Sequence, residues 1–95
     1  MTVQIVVSHH VADFDVWYAV FTEGEKVRRS HESTGHRLLR SVDDPGGIVI
    51  VNEFPDEEHA RAFMADPSLK EAMARAGVDS VPDVRLCTTV ETIAY

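Results

Sequence analysis

The chain has 95 residues, with sixteen acidic against nine basic side chains and a formal net charge of −7. That length holds one domain, 1–95, and 44% hydrophobic with 26% charged residues excludes a wholly disordered chain. The single cysteine, Cys87, excludes an internal disulfide framework and a multi-cysteine zinc site. The acidic balance argues against nucleic acid and anionic lipid surfaces as partners. The opening Met1-Thr-Val-Gln-Ile-Val-Val lacks the basic region of a signal peptide, and no apolar run approaches the ~18–20 residues of a spanning helix. A soluble protein of the cytoplasm, with no membrane partner, is the expectation.

Val3 to Val11 is apolar on both phases of a strand, as a central strand covered on two faces would be. Asp13 offers a helix N-cap with Asp15 in the first turn, and Phe14, Trp17, Tyr18 and Phe21 fall on one helical face. Gly24 is a kink point, while the Glu25/Arg29 and Arg28/Glu32 pairs favour continuation as far as Thr34-Gly35. His36 to Val42 alternates weakly, like a strand nearer an edge. Asp43-Asp44-Pro45-Gly46-Gly47 is a turn signal, so this strand and the next form a hairpin. Ile48 to Val51 is the second run apolar on both phases and ends at Asn52-Glu53-Phe54-Pro55. Asp56 caps the next helix, whose inner stripe is Ala60, Phe63 and Met64. Asp66-Pro67 restarts it as cap and first helical residue, and Gly77-Val78 ends it. Val84 to about Ile93 is the last strand.

The order is β-α-β-β-α-β with the second helix in two pieces. A hairpin and two right-handed crossovers make this an α+β, ferredoxin-like sandwich. Two central strands apolar on both phases cannot leave one sheet face in water. A second copy of the chain is the simplest cover, so a homodimer is expected.

The stretch His9-His-Val-Ala-Asp-Phe-Asp-Val-Trp17, followed by Phe21, Arg28 and Gly35, resembles the dimeric α+β barrel superfamily. Asp44-Pro45-Gly46, Ala60-Arg-Ala-Phe63, Asp66-Pro67-Ser-Leu69 and Glu71-Ala-Met-Ala-Arg-Ala-Gly-Val78 fit its small antibiotic-biosynthesis-monooxygenase-like and "cyclase" branch. The resemblance spans nearly the whole chain. It implies a dimer whose two sheets form an eight-stranded barrel, and a pocket between sheet and helices in each protomer. Members include cofactor-free monooxygenases of polyketide-type phenols, haem-degrading oxygenases, cyclases and lactone isomerases. In the oxygenases a tryptophan lies on the helix after the third strand. Here that helix carries Phe63 and Met64, and the only tryptophan, Trp17, is on the first helix, which ranks oxygenase chemistry below proton transfer.

His9 and His10 leave opposite faces of their strand and cannot share a metal. A histidine beside a pocket suits general acid–base chemistry near neutral pH, and the family motif puts that role on His9. The bland reading is a strand-end histidine satisfied by backbone or water. Trp17, Tyr18, Phe21 and Met64 are either walls for a flat apolar or aromatic ligand or plain core. Arg28 and His31 share a helix face. Either Arg28 turns inward to hold a carboxylate, enolate or phenolate, with His31 beside the ligand, or the face is solvated and laced by Glu25 and Glu32. Asn52 and Glu53 lie on opposite phases, and periodicity does not decide which faces the pocket; Asn52 or Arg28 would steady a developing oxyanion. His31, His36 and His59 are isolated, and no metal-ligand spacing is present. The expected function is a cofactor-independent enzyme of the cyclase or isomerase type acting on an aromatic or polyketide-like molecule. The rivals are a non-catalytic ligand binder and a cofactor-free or haem-dependent monooxygenase.

Overall fold

A computed structural model describes residues 1–95. Its elements are β1 (Val3–His10), α1 (Phe14–Glu23), α2 (Glu25–Ser30), β2 (Gly35–Arg40), β3 (Gly47–Phe54), α3 (Glu57–Met64), α4 (Pro67–Arg75) and β4 (Asp83–Cys87). The four strands form one antiparallel sheet in the order β2-β3-β1-β4, so the two runs apolar on both phases are the two central strands. This is the α+β, ferredoxin-like arrangement that the element order implies.

The three predicted caps hold their helices. Asp13 Oδ1 accepts from the backbone N–H groups of Asp15 and Val16, Asp56 Oδ1 from His59 and Asp66 Oδ1 from Ser68. Each satisfies N–H groups that the first turn leaves without a helical partner. Gly77 takes φ +73 after α4, the left-handed turn expected there, and Val78 bridges back to Val11.

Side chains of Val3, Ile5, Val7 and His9 on β1, and of Ile48, Ile50, Asn52 and Phe54 on β3, face the helices; seven of these eight are buried, and Val7 is half-buried. They feed two clusters. One gathers Val3, Ile5, Phe54, Ala60 and Phe63 against α3, and the other gathers Val11, Trp17, Ile48, Ile50 and Ala76 against α1 and the end of α4. Val7 packs against both. The opposite phase, with Val6, Val49 and Val51 at its centre, is covered by no helix.

Three expectations need correction. The first helix is two helices: it breaks at Gly24, α2 stops at Ser30, and Glu32 lies outside it at φ +66. The expected Arg28/Glu32 pair is therefore absent, while Glu25 and Arg29 do pair at 3.5 Å. The last strand ends at Cys87 rather than near Ile93, because β1 offers it partners only from Gln4 to Ser8. Thr88 to Tyr95 keeps strand-like composition without a strand to pair with. No helix is long and apolar enough to cross a membrane.

Candidate functional site

Between the two core clusters the helices stand off the sheet and leave a cavity of about 320 Å³. Its floor is Ile5, Val7, His9, Ile50 and Asn52, and its walls come from all four helices. The volume is at the small end of ligand sites, and the lining is mostly apolar with a few polar groups, the usual make-up of such sites.

His9 and Asn52 are both buried, at 7% and 4% exposure. Neither His9 Nδ1 nor Asn52 Oδ1 has a hydrogen-bond partner. Buried polar atoms are nearly always paired, and an orphan costs on the order of 1–3 kcal/mol. Both residues line the floor of one cavity, and both orphan atoms are themselves turned away from accessible space. Burial holds the His9 pKa below its ordinary value, because removing the ring from water disfavours the imidazolium. Burial thus favours the neutral ring, one nitrogen of which is basic.

The register separates the two orphans. Asn52 lies opposite Ile5, four residues from His9 on β1, which is about 13 Å along the strand direction. Aromatic side chains of α1 line the way between them. Trp17 meets His9 edge-on at 5.7 Å between ring centroids and stacks on Phe21 at 5.1 Å. Phe21 meets His36, the cross-strand neighbour of Asn52, at 5.0 Å and lies 4.0 Å beneath the Arg28 guanidinium. His9 therefore stands at one end of a flat-walled cavity, and Asn52 with Arg28 at the other.

Arg28 is buried, at 7% exposure, so the solvated-face reading fails for it. The break at Gly24 turns α2 so that this side chain folds inward, where Nη1 donates to the Phe21 carbonyl at 2.9 Å. Met64 lines the cavity at its rim. Two other predicted ligand contacts lie outside it. Tyr18, half exposed and stacked on Phe14, faces a side groove across Phe21. His31 is held by Asp66, Nε2 to Oδ2 at 2.8 Å, tying the end of α2 to the cap of α4. That partner is 35 residues away in the chain, so no local pattern announces it. Glu53 turns to the open side, where its carboxylate accepts from the Thr34 hydroxyl.

His10 has a different fate from its neighbour. Its Nδ1 lies 2.7 Å from Asp79 Oδ1 and its Nε2 3.4 Å from Asp44 Oδ2, which raises its pKa. The ring ties the β2–β3 turn to the segment after α4. Gly46 makes this possible, because a Cβ there would meet the His10 ring and sit 2.7 Å from the Val11 carbonyl oxygen. Both ring nitrogens are engaged by carboxylates, an ion-paired clamp, and no group of three such side chains has metal-holding geometry.

Fold and cavity together describe an α+β sheet-and-helix protein with a largely apolar cavity that carries polar side chains at both ends. The chain has the fold of antibiotic biosynthesis monooxygenase-like proteins. It is similar to SnoaB, a cofactor-independent oxygenase from Streptomyces nogalater, with a TM-score of 0.82 at 20% identity over 99% of this chain and 98% of that one. An antibiotic biosynthesis monooxygenase-like protein from Bordetella bronchiseptica gives 0.77 at 17% identity, covering 95% and 98%. A further antibiotic biosynthesis monooxygenase gives 0.73 at 19%, covering 94% and 99%. No protein-family profile and no curated protein sequence matches the chain.

Proposed function

We propose that the protein is a cofactor-independent enzyme that moves a proton on a flat, hydroxylated, enolisable aromatic molecule of the polyketide type. The observation that carries this reading is that two buried polar side chains, His9 and Asn52, line opposite ends of one apolar cavity, each with a polar atom that no protein group satisfies. Neutral His9 takes a proton from an acidic C–H or O–H of the ligand. The electron pair passes through the conjugated rings to a carbonyl oxygen at the far end, forming an enolate. The Asn52 amide N–H donates to that oxygen, and the Arg28 charge lowers the energy of the anion. Return of the proton from His9 to another carbon completes an isomerisation; in a cyclisation the enolate carbon attacks a second carbonyl of the ligand, whose C=O π bond breaks, and the alkoxide formed takes the proton back from His9. Trp17, Phe21 and Met64 hold the rings flat and keep water out.

An enolisable hydroxyanthrone in D2O under argon tests the base directly. The protein should accelerate exchange of the ring methylene protons, followed by NMR, and His9→Ala should lose ~10²–10⁴-fold of that rate. Binding without exchange would make the cavity a carrier site. A second reading is favoured by the likeness to SnoaB, which is named a cofactor-independent oxygenase. The same enolate would then give an electron to O2, the radical pair would join as a peroxide on the ring carbon, and loss of water would leave the quinone; one O2 consumed per quinone formed in air would show it.

We also propose that the working unit is a homodimer joined through the open sheet face. Across that face Arg37, Val51, Val6 and Arg85 lie in one row, with Leu39 and Val49 in the next and Glu53 and Asp83 at the flanks. An apolar centre bordered by both signs of charge is self-complementary under a two-fold axis.

A further inference from the structure

Arg28 is the only buried cation of this acidic protein, and no carboxylate pairs with it. Arg29, Arg61, Arg75 and Arg85 all pair with a carboxylate, and all are exposed. Glu25 acts on Arg28 through space, but it lies beyond ion-pair distance and its carboxylate is 3.5 Å from Arg29. A buried charge without its counter-charge is expensive unless something else neutralises it. The single hydrogen bond of the guanidinium goes to the Phe21 carbonyl, one of the five N–H donors the group possesses. The Phe21 ring covers one of its faces. Gly24 leaves room for it, since a Cβ there would lie 3.1 Å from Nη1 and 3.2 Å from the Phe21 carbonyl oxygen. The guanidinium borders the main cavity on one side and, on the other, a smaller groove of about 120 Å³ lined by Tyr18, Thr22, Glu25 and His36.

We propose that Arg28 anchors a carboxylate on the ligand, so that the cavity selects aromatic acids over neutral aromatics of the same shape. The planar fork of N–H groups left free after the Phe21 bond matches a carboxylate in two parallel hydrogen bonds. Tyr18 and His36 line the side groove together with the Glu25 carboxylate, which repels an acid group there and leaves the main-cavity side of the guanidinium as the place for it. The ligand would thus place its acid group beyond the Asn52 end and its reacting carbon near His9, fixing which ring the base meets. This inference rests on the cavity's being the ligand site. The rival account keeps Arg28 as a tie between the end of α1 and α2, with its charge serving no ligand.

Trp17 is the only tryptophan and lines the cavity, so its fluorescence reports occupancy. The probes are 2-naphthoate and the neutral 2-naphthamide, titrated into the full chain at pH 7. The expected result is at least tenfold tighter binding of the acid, with the preference lost in Arg28→Gln and partly kept in Arg28→Lys. Equal binding of the two probes to the unaltered protein overturns the anchor and leaves the cavity reading standing. Binding of neither overturns both. The comparison of probes on the unaltered chain decides the matter even if Arg28→Gln fails to fold.

Discussion

The helix-covered face of the sheet and its open face are written in the same two strands, one residue out of phase. On the covered side, Ile5, His9, Ile50 and Asn52 lie within a closed core and floor a cavity. On the open side, Val6, Val49 and Val51 are only half-buried and are flanked by charges. The contrast is sharpest where the chain places two histidines side by side. His9 is buried, unpaired and held neutral by its lack of water; His10 is clamped by Asp44 and Asp79, which favour its charged form. Identical side chains acquire opposite chemistry from the faces they are given, which is the effect of strand alternation on a sheet with helices on one side only.

The largest expected effect comes from opening the covered face. Phe54 is fully buried and packs on Phe63 at 5.3 Å. Phe54→Ala should cost about 3–5 kcal/mol in denaturant unfolding, since it removes a large apolar group and leaves a void. A charge on the open face should act on assembly instead. Val51→Asp should turn the dimer into a monomer by light scattering with a far smaller loss of protomer stability. A monomer already present in the unaltered protein at micromolar concentration would contradict the homodimer. The smallest effect concerns His10. Its folded pKa is raised, so its contribution to stability is fully present below its unfolded pKa and is lost as pH rises through the folded pKa. The drop in melting temperature caused by His10→Ala should therefore be greater at pH 5.5 than at pH 9. An equal drop at both would mean that the clamp is not ionic.

Much of this contrast is legible in the sequence. The two central strands announce themselves by being apolar on both phases, and Asp13, Asp56 and Asp66 mark three helix starts that the structure keeps. The same double apolarity hides the phase of Asn52 and Glu53, because a run apolar on both sides carries no sign of which side is inside. Arg28 sits in a helical charge pattern that reads as solvated; only the break at Gly24 reveals that it turns inward. The pairing of His31 with Asp66 and the clamp on His10 depend on segments brought together by the fold. The run after Cys87 has strand composition, but pairing is a property of two strands, and β1 ends its offer of partners at Gln4.

The central claim is that burial favours the neutral form of His9 beside the cavity while carboxylates favour the charged form of its neighbour. NMR titration of the histidine ring protons, with His9→Ala and His10→Ala for assignment, tests it directly. The account predicts that His9 titrates below the ordinary histidine value of about 6.5 and His10 above it. Histidines that titrate together, or in the reverse order, would contradict it.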